Sequence, residues 1–265
     1  MLLRNPFTKA LFDTRRSLFG WTVAIVAVGA MYASFWPTMQ NPEMAEALAA
    51  YPEGLLEAFN YSDLTTAAGY LGGAVYGLLV PLLVTVFAIA AGTRAIAGDE
   101  EAGTLDLLLA HPVGRARLAL HRYAALLLGL VLICGLLALV MIALSGPAEF
   151  EGVGAGALAA ISLQLALFGA TFGALAFAIG GATGSRAAAL GGAAAVAVLA
   201  YLANSVLPQV DGLAWAQNLS PFHWYLSGDP LVNGLQTTGP LLLLATTTLL
   251  VAAGTYLFTR RDIAV

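Results

Sequence analysis

The chain has 265 residues, of which 60% are hydrophobic and 10% are charged, with a formal net charge of -4 and a mean hydropathy of +0.84. Soluble domains carry about 25% charged residues and roughly 45–50% apolar ones, so this composition excludes an ordinary soluble domain and indicates an integral membrane protein. A single cysteine, Cys134, excludes a disulfide framework and a multi-cysteine metal site.

The first predicted element is a short helix over residues 1–16 that lies in the inner membrane interface. Leu3, Phe7, Leu11 and Leu18 recur near helical spacing among basic residues, which is typical of an interfacial amphipathic helix. An unstructured basic anchor is the alternative. The apolar run that follows is long enough to span a membrane, so we expect a retained anchor rather than a cleaved signal peptide.

Six stretches are long and apolar enough to cross a membrane, which requires about 20 mostly apolar residues each. They predict an all-α integral membrane protein with a single transmembrane domain over 1–265. The second stretch is the longest, and Pro81 within it is a candidate for a kink. The predicted spans are 17–36, 69–97, 122–144, 154–182, 187–207 and 238–258.

The charges are segregated between the two sides of the predicted bundle. All eleven basic residues fall in the N-terminus, the C-terminus, the connection between spans 2 and 3 with its flanks, or the connection between spans 4 and 5. Nine of the fifteen acidic residues fall in the three other connections. The positive-inside rule therefore predicts a multi-pass cell-membrane protein with both termini in the cytoplasm.

Ionisable side chains are missing from the middle of every predicted span, which argues against a proton-driven carrier. The sequence also lacks a metalloprotease pair, a nucleophile elbow and a phosphate-binding loop. We therefore predict no catalytic, metal or cofactor site on this chain, and no nucleic-acid partner. The few uncharged polar groups within the spans are the candidates to line a path, namely Gln164, Asn204, Thr246 and Thr247.

The connection between spans 2 and 3, taken as residues 98–121, is charged and broken by Pro112. We expect the helix of span 2 to end at Gly98 and a new helix to begin at the acidic cluster 99–101, because carboxylates suit the free amides of a helix N-terminus. Pro112 would stop that short helix.

The short helix carries one apolar stripe, made by Leu105, Leu108 and Leu109. These leucines could lie on membrane lipid or fill a groove on a soluble partner. The acidic cluster favours the partner, because an anionic inner leaflet would repel it.

Glu101 to Arg115, E-x-G-T-L-D-L-L-L-A-x-P-V-G-R, resembles the segment after the second span in permease subunits of type-2 ABC exporters. The segment L-S-P-F-H-W at 219–224 and the terminal F-T-R-R-D-I at 258–263 are also similar to that family. The resemblance covers nearly the whole chain in order.

The resemblance implies that segment 98–121 forms a coupling helix seated on a separate ABC ATPase subunit, which binds ATP. It also implies a second permease chain, identical or homologous, and an export path along the interface between the two. The residues assigned to coupling are Glu100, Glu101, Gly103, Thr104, Leu105, Leu108, Pro112 and Arg115.

Residues 208–237, on the outer side before the last span, contain a cluster of aromatic side chains. In the resembled family this region is often a re-entrant hairpin that shapes the outer gate, and that reading stays open here. For the single side chains we expect an interfacial belt. The aromatic cluster comprises Trp215, Phe222, His223, Trp224 and Tyr225.

The predicted function is therefore the membrane-spanning permease subunit of an ATP-driven exporter, with an apolar path that suits hydrophobic drugs, natural products or lipids. One alternative is a scaffold that anchors a soluble complex through segment 98–121 without transporting anything. The other is a secondary carrier that works without an ATPase.

Overall fold

The computed structural model describes residues 6–41, 65–101, 103 and 114–261, and within these ranges all regular secondary structure is helical. Six helical segments are long and apolar enough to cross a membrane. The predicted fold class and number of spans are confirmed. The spans, in chain order, are Phe7–Met39, Ala67–Gly98, Arg115–Leu144, Ala155–Thr183, Arg186–Gln209 and Thr238–Arg260.

The first span begins as one long helix, Pro6–Ser34, followed by a short helix, Trp36–Met39. Residues 6–16, which the sequence assigned to an interfacial helix, continue into the span without a break. The helical conformation of these residues is as predicted. The interfacial placement of that segment stays a prediction, and residues 1–5 lie outside the described ranges.

The second span is assembled from several pieces rather than one regular helix. Its helix is interrupted at residues 76–78, directly before Pro81 in the first turn of the following piece. Proline lacks a backbone N–H and its ring crowds the preceding turn, so the interruption falls where the sequence placed a kink. The pieces are Ala67–Tyr70, a π-helix at Leu71–Val75, Leu79–Thr93, a π-helix at Arg94–Gly98, and Asp99–Glu101.

The second span ends at Gly98, as predicted, but it does so in a π turn rather than at a helix-stopping glycine. Gly98 does not adopt the left-handed conformation that ends helices; the chain passes through the wide π turn and stays helical to Glu101. The left-handed residue is Gly103, at φ 64°, and its N–H donates to the Glu100 carbonyl at 3.0 Å. The acidic cluster therefore forms the short helix Asp99–Glu101, whose backbone continues directly from the π turn of the second span.

The fourth span is the centre of the bundle, because it packs against the second, third, fifth and sixth spans. Its most apolar stretch is the most buried of the six. Glycines permit the closest approaches: a Cβ on Gly92 would lie 2.2 Å from the Gly173 carbonyl oxygen, and one on Gly181 would lie 2.6 Å from that of Gly254. The first span packs mainly on the third.

The outer segment before the last span folds into four short helices. Ser220 caps one of them by accepting a hydrogen bond from the Phe222 N–H at 3.1 Å, and Pro221 follows at the first helical position. The helices are Leu207–Gln209, Ala214–Leu219, Pro221–Leu226 and Pro230–Asn233.

The expected interfacial belt is wrong for two aromatic side chains of this segment. Phe222 and Tyr225 are buried, with ring centroids 4.7 and 5.1 Å from that of Phe168 on the fourth span. They are three residues apart on one helix, so they share the face that packs on the bundle. Trp215 is exposed, as a belt requires, whereas His223 and Trp224 are half-buried.

Candidate functional site

The end of the second span on the predicted cytoplasmic side, here called the inner end, is connected to the corresponding end of the sixth span by an ion pair. The Glu100 carboxylate accepts a hydrogen bond from the guanidinium of Arg261, and both side chains are largely buried, with 10% and 21% of their surfaces exposed. Charge-assisted hydrogen bonds of this kind are stronger than neutral ones, and burial protects them from screening by salt. The pair joins residues that are far apart in sequence.

Glu101 makes a second connection, to the fifth span. Its Oε1 accepts a hydrogen bond from the backbone N–H of Arg186 at 2.8 Å. Arg186 is the first residue of that helix, where backbone amides lack intrahelical partners and the helix dipole favours a carboxylate. The acidic cluster thus does stabilise a helix N-terminus, but it is the N-terminus of the fifth span.

The start of the third span completes the arrangement. Arg115 Nη1 donates to the backbone carbonyl of Arg261 at 2.9 Å, at the C-terminal end of the sixth span, where a cation also suits the helix dipole. About two helical turns further along, Arg122 Nη1 donates to the Ala95 carbonyl at 2.9 Å, which joins the third span to the π turn of the second.

The turn between the fourth and fifth spans passes directly beneath the ion pair. Gly184 ends the fourth span in the left-handed conformation, at φ 69°, which costs a side-chain-bearing residue energy. A Cβ there would also lie 2.0 Å from Arg261 Nη1 and 2.6 Å from Glu100 Oε1. We call Glu100, Glu101, Arg115, Gly184 and Arg261 the inner clamp.

The structure brings together three of the residues assigned to coupling, since Glu100, Glu101 and Arg115 all belong to the inner clamp. Gly103 instead adopts the left-handed conformation after the short helix Asp99–Glu101. The remaining four lie outside the described residues: Thr104, Leu105, Leu108 and Pro112.

Sequence reasoning missed Gly184 and Arg261 as members of this site. The signal for Arg261 was present, because two adjacent arginines end the sixth span on the side that also carries the acidic cluster. Charge segregation places these groups on one side of the membrane. It does not say which arginine meets which carboxylate.

The candidate path residues are only partly assembled. Thr247 is buried, and its Oγ1 lies 3.0 Å from Thr171 Oγ1 on the fourth span. Gln164 is fully buried about two helical turns from Thr171 and on the same face, and neither its Nε2 nor its Oε1 has a hydrogen-bond partner among the described residues. Thr246 and Asn204 are half-buried, and Asn204 contacts its neighbour Ser205 near the outer end of the fifth span.

A cavity of about 270 Å³ opens on the outer side, between the start of the second span, the fourth span and the outer segment. Its wall includes Ile161, which precedes Gln164 by one helical turn, and Asp229, a non-glycine residue in the left-handed conformation at φ 50°. The unpartnered amide of Gln164 therefore lies one turn below the outer cavity.

The interruption in the second span is filled by tyrosines. Tyr225 donates its hydroxyl to the Tyr76 carbonyl at 3.1 Å, and the Tyr76 hydroxyl lies 3.2 Å from Ser162 Oγ on the fourth span. Burial raises the pKa of the Tyr225 phenol well above its ordinary value, so the group stays protonated and remains a donor. The outer segment is thereby fastened to the break in the second span.

Metal binding finds no support in the described ranges, where no group of three or more His, Cys, Asp or Glu side chains comes together. The model of a family described as ABC-2 family transporter protein matches residues 7–263, nearly the full chain. Among curated proteins no significant match is found. The match takes in all six spans and the inner clamp. The chain therefore belongs to the ABC-2 transporter family, as a membrane-spanning permease component of an ABC transporter.

Proposed function

We propose that this chain couples to a separate ATPase subunit through segment 98–121 and works beside a second permease chain in export from the cytoplasm. The ATPase subunit binds and hydrolyses ATP. Both termini and segment 98–121 face the cytoplasm of the cell membrane. These proposals go beyond the family membership in three respects: the ATPase partner, the direction of transport, and the surface on which the partner docks.

The observation that carries the proposal is the way in which segment 98–121 is anchored near both of its ends. On one side Glu100 and Glu101 bind the sixth and fifth spans, and on the other side Arg115 binds the end of the sixth. A force applied to the segment by a bound partner would act on the second, third, fifth and sixth spans together. A loop that merely joined two spans would need none of these contacts.

The interior favours an apolar substrate, such as a hydrophobic drug, a natural product or a lipid. Among the described residues, the face of the fourth span that meets the sixth at Thr171 and Thr247 also carries Gln164, and all three side chains are polar but uncharged. Gln164 is the best candidate to meet the substrate, because its buried amide has no hydrogen-bond partner in the described part of the chain and lies one turn below the outer cavity. A few polar groups in an apolar wall are typical of binding sites for hydrophobic small molecules.

The proposal is tested by capturing the tagged chain from its native membrane under gentle extraction and assaying the captured proteins for ATPase activity. The test variant combines Glu101→Ala with Leu105→Asp, which removes an anchor and places a charge in the apolar stripe. The matched control combines Glu151→Ala with Leu235→Asp, the same changes at exposed positions of the predicted outer side.

We expect an ATPase to accompany the wild-type chain and the control, and to be lost, or to turn over more slowly, with the test variant. Capture of a partner without ATPase activity would support a scaffold instead. Transport by the purified chain alone would support a secondary carrier. Equal recovery of the ATPase with the test variant would remove segment 98–121 as its docking site.

A further inference from the structure

Arg261 has no role in the proposed docking of an ATPase, yet it is the residue on which the inner clamp converges. Its side chain binds Glu100, and its backbone carbonyl accepts a hydrogen bond from Arg115. Glu100 and Arg115 both lie within the proposed docking segment 98–121, one near each of its ends. The segment is therefore held near both ends at one point, the C-terminal end of the sixth span.

The position of the carboxylates explains why these contacts matter. Glu100 and Glu101 end the short helix that continues from the second span, where the dipole disfavours negative charge. Their stabilising partners lie on other spans: the guanidinium of Arg261 and the first amide of the fifth span, at Arg186. Releasing the contact with Arg261 would leave the largely buried carboxylate of Glu100 unpaired at an unfavourable helix end. Releasing the contact with Arg186 would leave the first amide of the fifth span without the Glu101 carboxylate.

The turn between the fourth and fifth spans packs closely against the inner clamp. Glycine is required at 184 for the left-handed backbone, and the absence of a side chain there gives the Glu100–Arg261 pair its space. The fifth span begins two residues later, with its first amide bound by Glu101. The inner ends of the fifth and sixth spans are thus fixed to the same short stretch, 100–101.

We propose that the inner clamp makes the docking segment and the inner ends of the fifth and sixth spans move as one body, with Arg261 as the positioning residue. The inference rests on the proposed function and names the route by which nucleotide binding on the partner would reach the interior. The clamp itself does no chemistry.

The sixth span continues this route into the bundle. It packs on the fourth through the close approach of Gly254 to Gly181 and through the hydrogen bond between Thr247 and Thr171. A shift of the inner end of the sixth span therefore acts on the polar pair that shares a helix face with Gln164. The second and third spans carry the docking segment, and the sixth carries its movement to the candidate substrate site.

The test uses the complex of the chain with its copurified ATPase, with Cys134 replaced by alanine and spin labels on introduced cysteines. One pair, at Gly114 and Thr259, measures the distance across the clamp. A second pair, at Thr259 and Gly20, measures the sixth span against the first, which packs mainly on the third. All three labelled positions are exposed.

In the wild-type clamp, trapping the ATPase with ATP and vanadate should change the second distance and leave the first unchanged. Arg261→Glu breaks the ion pair, so the first distance should change on trapping and the second should lose its response. The double change Glu100→Arg with Arg261→Glu restores opposite charges and should recover the wild-type pattern. Recovery would exclude simple misfolding as the cause of the loss.

Arg260→Glu is the matched control, because it makes the same charge change at the neighbouring position, where the guanidinium stacks on Tyr256 rather than binding Glu100. It should behave as wild type. Wild-type behaviour of Arg261→Glu, or an equal loss in Arg260→Glu, would overturn the clamp and leave the proposed function standing. If no ATPase is captured with the wild-type chain, the proposed function and the clamp both fail.

Discussion

Gln164 is the side chain whose surroundings match its chemistry least well. It is fully buried, and its amide can form several hydrogen bonds, yet neither end has a partner among the described residues. Leaving a polar group buried and unpaired costs about 1–3 kcal/mol relative to pairing it. A residue of this kind, one turn below the outer cavity, is consistent with the substrate-binding role proposed for Gln164 above.

Replacing Gln164 with leucine, which has a similar volume, should therefore stabilise this conformation. We expect Gln164→Leu to raise the free energy of unfolding by about 1–3 kcal/mol, because it removes the unpaired amide. Unfolding of the purified chain in mixed detergent, followed by circular dichroism, measures the change.

Ser162→Ala serves as the control for Gln164→Leu. Ser162 lies two residues before Gln164 on the same helix. The change removes a buried hydroxyl that does have a hydrogen-bond partner, the hydroxyl of Tyr76 at 3.2 Å. This variant should lose about 1 kcal/mol of stability. A loss of stability in Gln164→Leu as well would mean that the amide has a partner in the folded protein.

The fourth span determines how closely the other helices pack. Its backbone meets that of the second span at Gly92 and Gly173, and that of the sixth at Gly181 and Gly254. Small residues allow helices to approach closely in a membrane. Apolar side chains gain little there by moving from lipid into a helix interface, because lipid is itself apolar. The two contacts lie on different faces of the same helix, so the fourth span holds the second and sixth spans at fixed distances.

Alanine at either contact should force the helices apart. We expect Gly92→Ala and Gly254→Ala each to lower the free energy of unfolding by about 1–3 kcal/mol, because the new Cβ would lie 2.2 Å from a carbonyl oxygen in the first case and 2.7 Å from Ala178 Cα in the second. Resistance of the purified chain to SDS-induced unfolding provides the measurement.

Gly135→Ala is the appropriate comparison for these two changes. Gly135 lies within the third span with open space around the position of a Cβ, so alanine there gains helix propensity without a clash. Equal stability of all three variants would show that the glycine contacts do not set the spacing of the helices.

At the scale of the whole molecule, the charge distribution predicts sidedness. Single cysteines in a Cys134→Ala background should react with a membrane-impermeant maleimide from outside at Gly152 and Asn233. Cysteines at Ser185 and Thr259 should react only after the membrane is opened. Reaction of the second pair in sealed cells would reverse the predicted orientation, and reaction of one member alone would change the number of crossings.

Much of the architecture can be predicted from the sequence, because a membrane restricts the length and polarity of every segment that crosses it. Apolar length reveals the six spans, and the excess of arginine on one side predicts their orientation. The inner clamp was beyond such reasoning, since Glu100 and Arg261 are 161 residues apart and their pairing depends on how the helices pack. The π turn that leads into Gly98 was not predicted, because hydropathy does not reveal it.

The aromatic side chains of the outer segment illustrate a second limit. The same aromatic residue types occur in an interfacial belt and in a packed core, so the sequence does not tell the two apart. Only tertiary packing distinguishes Trp215, which is exposed, from Phe222 and Tyr225, which are buried. Gln164 was found as a polar residue within a span, but its lack of a partner depends on every neighbour that could have supplied one.

The hydrogen bond from Tyr225 to the Tyr76 carbonyl gives the outer end of the bundle a property of its own. A backbone carbonyl at a helix break within lipid costs several kcal/mol unless something donates to it. If the outer segment lifts away from the fourth span, Tyr225 withdraws that donor, and a water molecule must enter or the second span must straighten. Opening of the outer side therefore requires either that water enters the bundle at this carbonyl or that the second span becomes a continuous helix. An open intermediate with neither change is disfavoured.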